Sequence, residues 1–375
     1  MKVLTIGSDR KLFENGSAVL SRVNEYAERM DELHIIVFSL KSLGFSEIHS
    51  TKLHIYPTNS SCRLLYIRDA IKKGKDIIRK NKFKKSDSVI STQDPFETGK
   101  VGVVLKKIFD LPLQIQIHTD FLSPYFRNSF LNKIRVLISK SVIPKADGLR
   151  VVSSVISDSI KQAFLNLKAR IDILPVFVDI EKIINREVTY YTQERGIESI
   201  LMVSRFTKEK RIDIGLKVFK KVLEQKKNIS MTIIGFGPEE KNLKQKIDEL
   251  NIGNKVEILE WENDVVSVYK KAGIFLLTSE YEGYGMTLIE AGASGCPIVT
   301  TNVGVAKTDL FKSGENSFVC SVGDVNCLSK SIINLIENPD KRKLFKERMR
   351  DTIQGIAVSK EEYMSRYVNI LKNLL

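Results

Sequence analysis

Short runs of apolar and β-branched residues alternate with helical patterns along most of this chain. Such alternation is typical of a parallel β-sheet that is covered by helices. The pattern occurs as two successive series, which predicts an α/β fold with two Rossmann-like domains facing each other across a cleft. A single large sheet is not expected, because 375 residues exceed what one ordinary hydrophobic core supports.

The first series contains seven predicted strands and five helical patterns. The strands are Val3–Ile6, His34–Phe38, Leu53–Tyr56, Ser88–Ser91, Leu113–Ile117, Gly148–Val152 and Ile171–Leu174. The helical patterns are Ala18–Met30, Tyr66–Lys80, Thr98–Phe109, Leu131–Lys145 and Val155–Phe164. The second series contains six predicted strands, which are Ile200–Val203, Met231–Ile234, Val256–Ile258, Ile274–Leu277, Ile298–Thr300 and Phe318–Cys320.

These two series predict a first domain over residues 1–179 and a second domain over residues 180–355. The boundary follows Pro175–Asp179 and precedes the irregular polar segment Asn185–Glu198. Residues 356–375 contain a last helical pattern, Lys360–Leu374, with no strand after it. Packing of this C-terminal helix back onto the first domain is a hypothesis that the sequence alone does not decide.

Composition excludes several classes of protein. Hydrophobic residues make up 43% and charged residues 28%, which excludes disordered and collagen-like chains. No apolar run approaches the ~20 residues of a spanning helix, and the first residues lack the features of a signal peptide. We therefore expect a cytoplasmic protein. The four cysteines, which we expect to be buried free thiols in a reducing cytosol, have no metal-binding spacing: Cys62, Cys296, Cys320 and Cys327.

Positive charge is concentrated in one part of the chain. Residues 51–150 hold 20 Lys and Arg against 8 Asp and Glu, a net of +12 out of +14. Such a field attracts anionic lipid, phosphorylated small molecules or nucleic acid. The segments Phe121–Arg127 and Leu131–Lys140 mix apolar, aromatic and basic positions, as bilayer-binding surfaces do. Docking on the inner face of the cell membrane is one hypothesis, and core residues beside solvated lysines are the alternative.

The most specific motif is Ser279–Ala291, which follows the predicted strand Ile274–Leu277. Its glycines let backbone amides approach a ligand, and a helix predicted to begin near Gly285 adds N–H groups that attract anions. Glu282 and Glu290 flank this junction, which suits a ligand with an anionic middle and hydroxylated ends, such as a nucleotide sugar. Alternatively, Glu282 caps the helix and Glu290 is a solvated helix residue.

Two further turns lie at the same predicted edge of the second sheet. Arg205 and Lys210 follow the strand Ile200–Val203, and an Arg with a Lys suits a diphosphate. The alternative is a solvated helix start, although cations there oppose the helix dipole. The turn Gly235–Pro238 lacks the third glycine of a dinucleotide-binding fingerprint, so it predicts close approach of a ligand to backbone rather than NAD binding.

Together these motifs resemble the donor site of family 4 glycosyltransferases (glycosyl transferases group 1), which are retaining enzymes of the two-domain GT-B fold. The resemblance implies that Arg205 and Lys210 bind the donor diphosphate, that Glu290 holds the ribose and that Glu282 faces the transferred sugar. It also implies donor contacts from backbone along the two glycine-containing turns and near Trp261–Glu262, with these residues of the turns involved: Gly235, Phe236, Gly283, Tyr284, Gly285 and Met286.

In the first domain, His118 at the end of the strand Leu113–Ile117 resembles the active-site histidine of the family. A histidine satisfied by local hydrogen bonds is the alternative. Asp94, Asp120 and Tyr125 are candidates for binding the acceptor. The family's usual Gly-Gly pair after the first strand is absent, and only Gly16 is available to contact the donor there.

The resemblance implies transfer of a sugar, with retention, from a nucleoside-diphosphate sugar to a hydroxyl of a glycan or lipid-linked acceptor. This reaction would serve cell-surface polysaccharide or glycolipid biosynthesis. No metal or other cofactor is expected, and the chain contains no Asp-x-Asp motif. A GT-B-fold epimerase and a non-catalytic nucleotide-sugar-binding protein are the alternatives. A nucleic-acid-binding module is not expected, because the chain has none of the known recognition motifs.

Overall fold

The computed structural model describes residues 1–187, 199–260 and 264–375. It contains two compact units, one formed by Met1–Pro175 with Glu361–Leu375 and the other by Val176–Lys360. The division between the units therefore lies four residues before the predicted boundary. The C-terminal residues from Glu361 onward group with the first unit.

The first unit contains one sheet of eight strands. Its strands are β1 (Lys2–Gly7), β2 (Glu32–Val37), β3 (Ile48–His49), β4 (Leu53–Pro57), β5 (Ser88–Thr92), β6 (Leu113–Ile117), β7 (Gly148–Val151) and β8 (Arg170–Ile173). Their spatial order is β3-β4-β2-β1-β5-β6-β7-β8. All neighbouring strands are parallel except β3, which runs antiparallel to β4. The sequence did not predict β3, because two residues are too few to show an alternating pattern.

The second unit contains one sheet of six parallel strands. They are β9 (Ser199–Val203), β10 (Ser230–Ile234), β11 (Val256–Leu259), β12 (Ile274–Leu277), β13 (Ile298–Thr301) and β14 (Phe318–Cys320). The order is β11-β10-β9-β12-β13-β14. The prediction of two Rossmann-like sheets is confirmed. It succeeded because strands buried on both faces are nearly continuous apolar runs, which are visible in the sequence.

Thirteen α-helices cover these sheets in the part of the chain that the structure describes. Those of the first unit are α1 (Ala18–Ala27), α2 (Tyr66–Lys80), α3 (Glu97–Phe109), α4 (Phe130–Val142) and α5 (Ser154–Ala163). Those that follow are α6 (Ile180–Asn185), α7 (Ile212–Gln225), α8 (Glu240–Glu249), α9 (Val265–Lys271), α10 (Met286–Ala293), α11 (Val325–Glu337) and α12 (Pro339–Gln354). The last is α13 (Lys360–Lys372), which belongs almost entirely to the first unit.

The prediction of four buried free thiols is wrong for three of the cysteines. Cys320 at the end of β14 forms a disulfide with Cys327 in the first turn of α11, where their Cα atoms lie 5.9 Å apart. Cys62 is exposed, and only Cys296 is a buried free thiol. Burial raises the pKa of the Cys296 thiol to about 12, so this thiol stays protonated. The disulfide was missed because its pairing depends on how the chain turns back after β14.

Candidate active site

The turn after β9 carries the two cations that the sequence singled out. The amide of Ser204 donates to the carbonyl of Ile234 at 3.0 Å, and the amide of the buried Phe206 donates to the carbonyl of Phe236 at 2.8 Å. These bonds fix the turn against the end of β10. The Arg205 side chain between them is 69% exposed, and the nearest carboxylate among the described residues, that of Glu209, lies 3.7 Å away. Arg205 is therefore held loosely and is open to an anionic ligand.

Lys210 and Glu282 lie together in the structure. The Lys210 Nζ donates to Glu282 Oε1 at 2.6 Å, and both side chains are almost buried, at 13% and 12% exposure. Ser279 Oγ donates to the same carboxylate oxygen at 2.8 Å. The alternative in which Glu282 caps the helix is not what the structure shows, because its partners are the side chains of Lys210 and Ser279. The two predicted site residues form an ion pair with each other.

A second ion pair, which the sequence analysis missed, lies beside the first. Arg211 has a left-handed backbone (φ 47°) and donates to Glu280 at 2.5 Å and to Asp213 at 3.0 Å. The Arg211–Glu280 pair and the Lys210–Glu282 pair both join the turn after β9 to the loop after β12. In sequence, Arg211 is one member of a Lys- and Arg-rich run, and nothing in that run indicates its distant partner.

The loop after β12 leads into α10 through Gly285, whose φ is +97°. That value lies in the region that disfavours side chains, so glycine is required at the helix start. The Tyr284 carbonyl accepts a 2.8 Å hydrogen bond from the amide of Val305, and Thr301 Oγ1 donates to the Ser279 carbonyl at 2.7 Å. The loop is thereby held at both ends. The amides of Met286 and Thr287 at the start of α10 have no intrahelical acceptor, whereas the Leu288 amide donates to the Gly285 carbonyl at 3.0 Å.

Glu290 lies on α10 beside a cavity of about 220 Å³ within the second unit. Its Oε2 accepts a 3.2 Å hydrogen bond from the hydroxyl of the buried Tyr269. Burial raises the pKa of Glu290, and the Tyr269 hydrogen bond partly opposes this increase. Glu290 is therefore half-buried and hydrogen-bonded rather than fully solvated. The cavity is also lined by residues that the sequence analysis did not select, among them Phe177, Val178, Asp179, Lys182 and Val266.

Close packing of two turns explains why the Gly235–Pro238 turn contains two glycines. Gly235 and Gly237 have φ values of +151° and +155°, and a Cβ at Gly235 would overlap the Ser204 carbonyl oxygen. A Cβ at Gly237 would meet the backbone of Phe206. The two turns can therefore approach only because these residues are glycines. The Phe236 side chain is 54% exposed. Trp261 and Glu262, which the resemblance placed near the nucleobase, lie outside the described residues.

In the first unit, His118 follows β6 and is an exposed residue. Its Nε2 lies 3.2 Å from Gln116 Oε1, so the local hydrogen bond of the alternative interpretation is present. Desolvation by the surrounding protein and the positive charges of Arg150 and Arg22 lower the pKa of His118. With its pKa lowered, the imidazole of His118 is neutral at pH 7.

Among the remaining candidates of the first unit, Asp94 has a structural role. Asp94 Oδ1 accepts from the amides of Phe96 and Thr98 at 2.7 and 3.3 Å, which caps the start of α3. Asp120 is buried, Tyr125 is 37% exposed, and Gly16 has φ +74° just before α1. Binding of the acceptor by Asp94, Asp120 and Tyr125, and of the donor by Gly16, stays a prediction.

Comparison with known proteins adds three findings. Residues 193–352 match the family model described as glycosyl transferases group 1. An N-acetyl-alpha-D-glucosaminyl L-malate synthase of Bacillus anthracis is 29% identical over 231 residues, which are 60% of each chain. An uncharacterized glycosyltransferase of Methanocaldococcus jannaschii is 24% identical over 88% of this chain and 87% of its own length.

Solved structures extend the likeness to the whole chain. HepE of Anabaena, crystallised in complex with UDP, superposes over 100% of both chains with a TM-score of 0.73 and 19% identity. A sucrose-phosphate synthase from Thermosynechococcus elongatus does so over 100% of this chain and 99% of its own, with a TM-score of 0.78 and 16% identity. At these identities the likeness shows the fold alone.

Several curated relatives are matched over only part of their length. The chain spans 60% of the Bacillus anthracis enzyme and 40% of an uncharacterized glycosyltransferase of Haemophilus influenzae, which is 33% identical over 143 residues. The matched family segment contains all of the candidate donor-site residues of the second unit from Arg205 to Glu290. Residues 193–352, all in the second unit, are therefore similar to the glycosyl transferases group 1 family, and the two parallel-sheet units have the GT-B fold.

Proposed function

We propose that this chain is a retaining glycosyltransferase that moves a sugar from a nucleoside-diphosphate sugar to a hydroxyl of a glycan or lipid-linked acceptor. The observation that carries the proposal is the grouping of Arg205, Lys210, Glu282 and the start of α10 around one loop, with Glu290 beside a cavity in the same unit. Structures of three proteins with a similar fold hold UDP, which makes UDP sugars the first donors to test.

The proposed catalysis depends on where negative charge develops as the donor bond breaks. As the sugar–phosphate bond breaks, negative charge grows on the departing diphosphate, and fixed donors aimed at that charge lower the barrier. Arg205 supplies an exposed guanidinium and α10 supplies unpaired amides. Lys210 carries three N–H donors, so it can keep its bond to Glu282 and also donate to a phosphate oxygen.

Retention is proposed to arise by front-face substitution. Glu282 is engaged by Lys210 and Ser279, so it is poorly placed to act as a free carboxylate nucleophile. The acceptor hydroxyl would then attack on the side of the leaving group, and its proton would pass to the departing phosphate. The protein cations neutralise the diphosphate in this scheme, so we propose that no metal is needed. Activity that survives EDTA would support this point, and loss restored by a divalent cation would contradict it.

The decisive experiment combines donor binding with product analysis. A panel of nucleotide sugars is screened by thermal shift, since specific binding raises apparent stability by mass action. The best donor is then incubated with and without candidate acceptors, and the anomeric configuration of the product is read by NMR. Conversion of donor without acceptor would indicate an epimerase. Binding without any turnover would indicate a non-catalytic binding protein, and an inverted product would contradict retention.

Substitution of the cations tests the mechanism directly. Arg205→Ala should lower kcat about 10²–10³-fold, as loss of a single transition-state donor does. Lys244→Ala is the matched control, because Lys244 is an exposed cation of α8 that pairs with Glu240 on the same helix. Normal turnover by Arg205→Ala would remove the proposed role of this residue.

We also propose that the first unit docks on an anionic membrane surface through α4. Phe130, Leu131, Ile134 and Leu137 are 80%, 53%, 38% and 65% exposed, so they are not core residues. The same helix carries the exposed Lys133 and Lys140. An apolar stripe flanked by lysines suits a bilayer interface. None of the described helices combines the length and apolar composition that crossing a membrane requires.

Vesicle co-sedimentation tests this docking. The wild-type protein should sediment with phosphatidylglycerol vesicles more than with phosphatidylcholine vesicles. Phe130→Ser with Leu137→Ser should abolish that enrichment. Leu165→Ser should not, although Leu165 is 87% exposed, because it lies outside α4. Equal sedimentation of the wild type with both kinds of vesicle would end the docking hypothesis.

A further inference from the structure

The first unit contains a buried arginine that has no carboxylate partner among the residues that the structure describes. Arg150 on β7 is 4% exposed. Its guanidinium donates to Gln116 Oε1 at 2.8 Å, to the Tyr363 hydroxyl at 2.9 Å and to the Leu174 carbonyl at 3.2 Å. It also lies over the Tyr367 ring, 5.4 Å from the centroid. Burying a charge without a partner of opposite charge lowers stability. We therefore expect Arg150 to have a role that offsets this cost.

Arg150 determines which way the Gln116 amide points. An arginine can only donate hydrogen bonds, so the amide oxygen of Gln116 must face Arg150. The amide nitrogen then faces Ser91 Oγ at 3.0 Å and the Tyr367 hydroxyl at 3.3 Å. Ser91 gives its own hydroxyl proton to Gln114 at 3.2 Å and is left as an acceptor. Both sides of the network therefore impose the same orientation on Gln116.

This orientation in turn determines the state of His118. The Gln116 oxygen that accepts from Arg150 is the atom 3.2 Å from His118 Nε2. A carbonyl oxygen only accepts, so Nε2 must carry the proton. In a neutral imidazole the other nitrogen, Nδ1, is then the acceptor. The tautomer of His118 is thus set through two polar contacts by a residue that does not touch its ring.

We propose that Gln116 and Arg150 are positioning residues that hold the His118 ring with Nε2–H bonded to Gln116, so that Nδ1 accepts a hydrogen bond from a substrate hydroxyl. The part that concerns substrate rests on the proposed function, whereas the tautomer does not. The proposal also gives α13 a role, since Tyr363 and Tyr367 of this helix complete the surroundings of Arg150.

The test uses two matched variants at one position. Gln116→Glu keeps an oxygen acceptor for both Arg150 and His118, whereas Gln116→Met has a similar volume and offers none. Imidazole nitrogens are observed in the ¹⁵N-histidine-labelled full-length protein, where the four histidines make assignment simple. The wild type and Gln116→Glu should show a hydrogen-bonded Nε2–H for His118, and Gln116→Met should lose that signal.

Arg150→Met tests the more distant residue in the same way. Without Arg150 the Gln116 amide is free to turn, so the hydrogen-bonded Nε2–H signal should weaken and Nδ1–H should become populated. The double variant Arg150→Met with Gln116→Met removes both polar partners, so neither is left buried without the other. It replaces a single variant that fails to fold, and its His118 spectrum is measured in the same way. An unchanged His118 spectrum in a folded variant without the Gln116 acceptor or without Arg150 would overturn the proposal.

Kinetics separate positioning from a merely structural role. With an active donor and acceptor pair, kcat of Gln116→Met should fall about 10²-fold, the scale of a misplaced catalytic group. The donor KM should stay within a few-fold, because the donor residues of the second unit are untouched. Gln116→Glu should retain kcat within about tenfold. A wild type with no turnover would refute the proposed function and leave the tautomer measurement valid. A lost Nε2–H signal with unchanged kcat would overturn the positioning role.

Discussion

At the scale of single residues, the charges of the candidate donor site differ in how they are held. Arg205 is mostly exposed and lies 3.7 Å from the Glu209 carboxylate, whereas Lys210 and Glu282 form a nearly buried pair at 2.6 Å. Both cations follow the same strand, so the sequence predicted that they share an edge of the sheet. It did not predict their different surroundings, because the partner of Lys210 is 72 residues away.

Because Lys210 is paired and nearly buried and Arg205 is exposed, we expect their substitutions to lower stability by different amounts. Lys210→Met leaves the Glu282 carboxylate without its cation and should lower the free energy of unfolding by about 3–5 kcal/mol. Arg205→Ala removes only an exposed, distant contact and should cost less than about 1 kcal/mol. Urea unfolding measures both. The double variant Lys210→Met with Glu282→Gln should recover part of the loss, and equal costs for the two single variants would contradict this account.

Glu290 predicts a dependence of stability on pH. Burial raises its pKa in the folded state above that of the unfolded chain. Its favourable contribution is therefore complete below the unfolded pKa and is lost as the pH rises through the folded pKa. Glu290→Gln, which can still accept from Tyr269, should unfold at a higher urea concentration than the wild type at pH 7. The advantage should vanish toward pH 4, and a constant difference across this range would contradict the prediction.

At the scale of elements, the start of α10 depends on one glycine. The predicted helix start near Gly285 agrees with the structure, because a glycine before a helical pattern is a local signal. Gly285→Ala places a Cβ on a left-handed residue and 3.2 Å from Leu288 Cδ1. We expect a loss of about 1–2 kcal/mol in the free energy of unfolding and weaker binding of nucleotide sugars.

A second glycine provides the control for that substitution. Gly355 has a right-handed helical backbone (φ −63°), and a Cβ there would make only ordinary contacts at 3.5 Å. Gly355→Ala should therefore leave stability unchanged or raise it by about 0.4–1 kcal/mol. If both alanine variants lost the same stability, backbone conformation would not be the cause.

At the scale of the whole molecule, α13 returns to the first unit after the chain has formed the second. Tyr363, Met364, Tyr367, Val368 and Leu371 of this helix are buried. Each such side chain contributes about 1.5–3 kcal/mol by leaving water, so their sum approaches the total stability of an ordinary domain. The helix is therefore part of the core of the first unit.

Removal of residues 361–375 should consequently unfold the first unit. Limited proteolysis should show rapid digestion of the first 175 residues in the truncated chain. Arg366→Ala is the control, because Arg366 is 55% exposed and pairs with Glu362 on the same helix. Resistance to protease equal to that of the full chain would show that α13 is dispensable.

The sequence by itself determined the two α/β series, the positions of most strands and the loop that precedes α10. These features depend on local periodicity and backbone conformation, and residues close together in the sequence determine both. Only the tertiary structure decided that Lys210 pairs with Glu282, that Arg211 pairs with Glu280, that Cys320 bonds Cys327 and that Arg150 orients Gln116 beside His118. Each of these contacts depends on where separate segments meet after folding, and charge or thiol content alone does not identify the partner.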